Sequence, residues 1–248
     1  MNVPKVAERD DWLAARKALL ASEKEATRAK DALNAQRRNL PMVRIDKEYV
    51  FAGPEGSVGL SDLFAGCRQL VVQHFMFDPS WEDGCGSCTG AVDGISDGLL
   101  RQLRARDTNL VVVARAPLAK LDRYRAKRGW AMPFYSSYGS DFNYDFHVTL
   151  DASVAPIQFN YRGPDELREA GLGWILKTED QPMEQPGYSC FLRADEGIFH
   201  TYSTFGRGTE QASDAYGFLD MTALGRQEDW EEPKGRAATA RGAVPSFT

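Results

Sequence analysis

The sequence predicts an α/β fold in which a central sheet is followed by an additional β-rich segment. Three observations predict it. An apolar run from Leu70 to Phe77 leads into Cys85-Gly86-Ser87-Cys88 and then into a segment of helical periodicity from about Thr89 to Arg104. A second apolar run, Asn109 to Ala114, reads as a fully buried strand, and Pro117 to Arg128 follows as a helix with Leu118, Leu121 and Tyr124 on one face. This β-α-β-α order implies a right-handed crossover and a parallel pair of strands. The third observation is the change of character beyond these elements, where short strands follow one another.

Taken in order, residues 8–39 form a charged, Ala-rich helix with few breakers, ended by Pro41. Trp12, Ala15, Leu19, Ser22, Ala26, Ala29 and Leu33 recur in steps of three and four, a seam of coiled-coil type whose middle is small and polar. Through residue 45 the segment has ten Lys and Arg against six Asp and Glu, a balance of +4 in a chain of net charge −5. Two arrangements fit this arm: a solvated helix with one face on its own domain, or a helix that packs on a sister subunit. The second makes the protein a homodimer.

Val43 to Ile45 and Tyr49 to Phe51, with the turn Gly53-Pro54-Glu55-Gly56, suggest a small hairpin. Leu60 to Phe64 reads as one helical turn. In the second half the expected strands are Phe146–Leu150, Ala155–Tyr161, Tyr188–Arg193 and Gly197–Ser203, with Asp195-Glu196-Gly197 as the turn between the last two. The organisation expected is therefore an arm over residues 1–40, a domain over 41–225 and a loosely ordered tail over 226–248.

Composition narrows the function classes. A chain of 248 residues with 43% apolar and 26% charged residues can bury a core. The mild negative charge gives no reason to expect nucleic acid as a partner. No apolar run approaches the ~20 residues that span a bilayer, so no membrane partner is expected. The N-terminus runs into a charged helix rather than the apolar core of a signal peptide, so a cytoplasmic location is expected. Four cysteines are too few for a disulfide scaffold, so the close pair reads as redox or metal-binding.

A cysteine at a helix N-terminus sits among unpaired N–H groups at the positive end of the helix dipole, which favours the thiolate. Cys88, Val92, Ile95 and Leu99 share a helical face, so Cys88 points to the core and Cys85 to the mouth. Cys85 is thus the candidate nucleophile and Cys88 the resolving thiol. Gly86, Gly90, Gly94 and Gly98 recur every four residues on another face and allow close backbone approach. The competing readings are an inert pair and a metal site. Against the latter, Cys67, His74, His147, Cys190 and His200 are scattered rather than spaced as a second ligand pair, so no metal and no organic cofactor are expected.

Beside the pair, His74 either tunes the thiolate or is a hydrogen-bonded core histidine. Asp78, Glu82 and Asp83 crowd the loop with negative charge, which opposes a thiolate unless they carry the proton of Cys88. Glu82 and His74 are the candidate tuning residues.

Strand, two-cysteine loop and helix is the way thioredoxin-like proteins present a dithiol. Leu40-Pro41-Met42-Val43, His74-Phe75-Met76-Phe77, Gly84-Cys85 with Cys88, Gly139 to Phe146, and Phe199-His200-Thr201-Tyr202-Ser203 together resemble the bacterial thioredoxin-like family catalogued as domain of unknown function 899. The resemblance runs from Trp12 to about Trp230 and implies a thioredoxin-like fold. It places Pro133, with Met132 before it, where such folds set a cis-proline against the dithiol; Met132, Pro133 and Trp81 are the candidate substrate groove. The entry into the dithiol is similar to that of peroxiredoxins, but Pro79 is one residue off their spacing and Glu82 stands in place of their threonine. The expected function is thiol–disulfide exchange with an unidentified thiol or disulfide substrate and reductant. The alternative is a non-catalytic binding or scaffold domain of the same fold, with or without a metal at the cysteines.

Overall fold

The structure, a computed structural model, describes residues 3–212 and the isolated positions 221, 229, 232 and 234. The expected loose tail lies outside the described residues apart from those isolated positions. The chain divides into two units. One contains the N-terminal helix; the other begins at Val43 and holds the rest of the described fold.

In the first unit α1 spans Arg9–Arg38. Acidic Asp10 and Asp11 lie in its first turn and basic Arg37 and Arg38 in its last, matching the helix dipole at both ends. None of its side chains is buried, and Trp12, Leu19 and Leu33 of the expected seam are about half exposed.

The second unit is built on β1 (Val43–Arg44), β2 (Val50–Gly53), β3 (Gly56–Gly59), β4 (Gln69–His74), α2 (Gly86–Asp93), α3 (Asp97–Arg104), β5 (Thr108–Ala114), α4 (Leu118–Arg128) and β6 (Phe134–Ser136). The short elements α5 (Phe142–Asp145), β7 (Thr149–Leu150), α6 (Pro164–Glu169) and β8 (Met183–Glu184) follow, and β9 (Gly187–Ala194) and β10 (Gly197–Phe205) complete it. Eight strands form one sheet in the order β1-β10-β9-β4-β5-β6-β2-β3, with β7 and β8 paired apart from it. β4 and β5 are parallel in the register Val72↔Val111, and β9 runs antiparallel to β4 on its other side. A parallel pair joined across a dithiol helix and continued by an antiparallel hairpin is a thioredoxin-like fold.

Several local expectations change. The single helix expected from Thr89 to Arg104 is two, because Ser96 caps a new start by accepting from Leu99 N–H at 3.1 Å. Glycines at 90, 94 and 98 leave the expected helix too weak to run through that competing cap, so the glycine stripe is not one continuous face. The first hairpin joins β2 to β3 across Gly53-Pro54-Glu55-Gly56, whereas Val43 pairs with His200 at the opposite edge of the sheet. Residues 155–161 form no strand; they hold only an isolated bridge, Phe159↔Arg162, around the left-handed Asn160 and Tyr161. Of the expected strand 146–150 only Thr149–Leu150 remains.

Alternation along the central strands splits the core between the two sheet faces. Leu70, Val72, Val111 and Val113 pack with Phe51, Phe64, Phe142, Phe146 and Phe191 on one face. Phe75, Phe77, Val112 and Ala114 pack with Leu121, Tyr124, Phe134 and Cys88 on the other. The dithiol sits on this second face, at the carboxyl end of the parallel strands.

Candidate active site

Cys85 is the N-cap of α2 and is half-buried; Cys88, one turn further on, is only 5% exposed. Both are free thiols. Cys85 N–H donates to Met76 C=O at 3.0 Å, which ties the nucleophile to the end of β4, and Thr89 N–H and Oγ1–H both donate to Cys85 C=O at 2.9 Å. Cys85 Sγ shares a 3.1 Å hydrogen bond with Ser87 Oγ. A hydrogen bond from the Cys88 thiol, then ones from Ser87 and from the backbone N–H groups of both residues, pull the Cys85 thiol down to about 5 against its burial. The same bond, with burial, pushes Cys88 well above the usual thiol range. Neutral water therefore meets a thiolate at the mouth and a protonated thiol beneath it.

The loop between β4 and α2 is held by cations from β5 and α4. Arg115, just past β5, pairs with Asp78, and its Nε donates to Glu184 Oε1 at 2.6 Å. Lys120 Nζ donates to Pro79 C=O at 2.8 Å and to Trp81 C=O at 2.5 Å, and Lys127 pairs with Asp83 at 2.7 Å. Two of the three loop carboxylates are thus neutralised, and the expected opposition to a thiolate does not arise from them. Gly84 has to be glycine here. A Cβ on it would lie 2.3 Å from Phe75 Cε1 and 3.2 Å from Tyr124 Cε1, both rings locked in the core.

Of the residues chosen from sequence, Cys85, Cys88 and Met132 come together in one apolar cluster. Trp81 and Glu82 are exposed on the dithiol loop, and Pro133 is exposed beside Met132. The Met132–Pro133 bond is not cis; among the described residues the cis peptide is Gln181–Pro182. The reason is topological. Pro133 leads into β6, which adds to the far side of β5, and residues 137–186 intervene before the chain reaches β9 beside β4.

His74 is the hydrogen-bonded core histidine of the two readings. It shares the face of Leu70 and Val72, away from the dithiol, and packs on Phe142 and Phe146 with ring centroids 5.7 and 6.2 Å away. Its Nε2 shares a 2.8 Å bond with Ser189 Oγ, Ser189 one of 2.8 Å with Ser203, and Ser203 one of 2.7 Å with His200. Burial, then His200, pulls His74 down to about 3, so it is a neutral link in a buried chain and not a tuning group for Cys85.

Sequence reasoning missed the group that holds the loop. Glu184, 1% exposed at its side chain, accepts from Arg115 and from Thr149 Oγ1 at 2.9 Å. Burial raises its pKa while Arg115 opposes the rise. The available signal was Arg115 itself, a charge directly after a buried parallel strand, at the strand end where sites of α/β sheets collect. Among the described residues no three His, Cys, Asp or Glu side chains converge on a metal-sized centre, and no helix is long and apolar enough to cross a membrane.

The family described as bacterial protein of unknown function (DUF899) matches residues 1–241, and the chain belongs to it. No curated protein matches the sequence. Among solved structures, a cysteine-to-serine mutant of Xylella fastidiosa PrxQ is similar, with 13% identity and a TM-score of 0.44 over 70% of this chain and 91% of that one. A Xanthomonas campestris peroxiredoxin Q mutant is similar at 16% identity and a TM-score of 0.40, over 70% and 90% of the two chains. A Chlorobium tepidum chain provisionally described as thiol:disulfide interchange protein DsbE is similar at 15% identity and a TM-score of 0.35, over 70% and 96%.

Proposed function

We propose that this member of the DUF899 family is a thiol–disulfide oxidoreductase. The Cys85 thiolate attacks one sulfur of a substrate disulfide, forming a mixed disulfide and expelling one thiolate. Cys88 then attacks Cys85 Sγ, so that a Cys85–Cys88 bond forms and the second substrate thiolate leaves. The substrate gains two electrons and two protons, and an external thiol reductant restores the pair. The observation that carries this reading is the asymmetry of the two thiols: a half-buried Cys85 pulled down to about 5 above a buried Cys88 pushed up. Trp81 and Met132 are assigned to the rim on which the substrate lies. A reducing, cytoplasmic setting suits a pair that must start as the dithiol.

Iodoacetamide alkylation across pH, with each site identified by mass spectrometry, tests the reading. Cys85 is expected to label first, at a rate that is flat above neutrality and falls only near pH 5. The pair should also cycle between dithiol and disulfide. Preferential labelling of Cys88, an ordinary thiol profile centred near ~8.5, or failure to cycle would leave a non-catalytic binding domain of the same fold.

A further inference from the structure

Of the three carboxylates on the loop between β4 and α2, two are committed. Asp78 accepts from the Ser80 N–H at 2.8 Å and the Ser80 hydroxyl at 2.6 Å, and it pairs with Arg115. Asp83 pairs with Lys127. Glu82, exposed between them, has no ion pair or side-chain hydrogen bond among the described residues.

The backbone that carries Glu82 is nevertheless fixed on both sides. Trp81 N–H donates to Asp78 C=O at 3.0 Å, Trp81 C=O accepts from Lys120, and Cys85 N–H is tied to Met76 C=O. Three residues of chain reach at most about 11 Å, so the Cα atoms of Glu82 and Cys85 lie within about one Debye length of each other at 0.1 M salt. The cations that α4 brings to this region are engaged. Lys127 and Arg128 pair with Asp83 and Asp93, and Lys120 donates to the carbonyls of Pro79 and Trp81. An unpaired surface carboxylate adds little to folding, but it acts on any charged molecule that approaches the thiolate.

We infer that Glu82 determines the charge of the substrate: it favours disulfides that carry positive charge beside their sulfurs and disfavours anionic ones. The inference rests on the exchange reading above. Glu82 attracts a cation on the incoming molecule and so brings the S–S bond to the Cys85 thiolate; it repels a carboxylate in the same place. The chemical step itself is unchanged. The bond from Cys85 Sγ to the near substrate sulfur forms, the substrate S–S bond breaks, and the far sulfur leaves with the electron pair. This role differs from tuning, because the carboxylate acts on the substrate rather than on the thiol.

Three small disulfides test it: cystamine (cationic), bis(2-hydroxyethyl) disulfide (neutral) and dithiodipropionate (anionic). Each is mixed with the reduced chain at pH 7.5 and low salt, and formation of the Cys85–Cys88 bond is followed by acid quench, alkylation and mass spectrometry. Glu82→Gln is expected to slow cystamine by roughly twofold to threefold, speed dithiodipropionate by a similar factor and leave the neutral probe unchanged. Glu82→Lys should widen both changes, and 1 M salt, with a Debye length of about 3 Å, should erase them. Glu55→Gln, in the turn at the β3 edge of the sheet, controls for net charge and should change nothing. Rates that shift equally for all three probes in Glu82→Gln would mean that Glu82 acts on the thiol, and would overturn the inference. Unchanged rates, or the same pattern in Glu55→Gln, would overturn it too. If the unaltered chain forms no Cys85–Cys88 bond with the neutral probe, the exchange reading itself fails, an outcome distinct from a mouth indifferent to charge.

Discussion

Replacing Arg115 tests how the dithiol loop is held. Its guanidinium pairs with both Asp78 and Glu184, whose side chains are 13% and 1% exposed. Arg115→Met keeps the length and removes the charge, leaving Glu184 buried with the Thr149 hydroxyl as its one donor among the described residues. Removing one partner of a buried ion pair costs about 3–5 kcal/mol, which for a domain of this size lowers the melting temperature by roughly 6–20 °C. The loss should depend on pH. Without Arg115 nothing offsets the burial that raises Glu184, so its native pKa lies above its unfolded value near ~4.5. Its contribution is then intact below that value and is lost as pH rises through the native pKa. The variant should therefore approach the unaltered chain at pH 5 and fall away from it at pH 8. Adding Glu184→Gln, which removes the stranded charge and keeps an acceptor for Thr149, should restore most of the loss. Urea denaturation at both pH values, with Cys85 alkylation measured alongside, is the assay. A loss under about 1 kcal/mol, or an equal loss at both pH values, would refute the view that a buried charge pair secures this loop.

Two further outcomes follow from the same geometry. His74 is held near 3, mainly by burial, against ~6.5 in the unfolded chain. The native state therefore binds fewer protons between those values, and stability should fall by about 1.4 kcal/mol per unit as pH drops below ~6.5. Equal urea midpoints at pH 7 and pH 5, or a slope no shallower in His74→Gln, would contradict this; the part of the slope that remains belongs to His147 and His200, which burial also lowers. We also propose a homodimer in which α1 takes part. Its 30 residues span about 45 Å, and Trp12, Leu19 and Leu33 stay about half exposed along it. Light scattering should show a dimer that is lost when the chain starts at Pro41; a monomeric full chain, or a dimer that survives the truncation, rejects the proposal.

Much of the fold was legible because it is written in local patterns. The breaker-free helix over 8–39, the apolar runs at 70–77 and 109–114 and the turn at 195–197 are each set by residues a few positions apart. The pairing of a Cys85 at the mouth with a buried Cys88 came from helical spacing alone, and the structure has Cys85 half-buried and Cys88 buried on a helix shorter than expected. Local competition was harder to read: the cap at Ser96 overrides a periodic pattern that continues past it, and the pattern does not register the cap.

What the sequence determined by itself was therefore the central β-α-β-α run and the dithiol at a helix start, since both depend on neighbours a few residues apart. The tertiary structure alone decided what surrounds them. Arg115 meets Glu184 across 69 residues, Tyr188 comes beside Gln73 only by strand register, and the cis proline is Pro182 rather than Pro133. It also turned His74 away from the cysteines, because alternation puts adjacent residues of β4 on opposite faces while sequence distance makes them look like neighbours. Such contacts join segments whose separation along the chain carries no periodic signal, and packing of the whole sheet is what selects them.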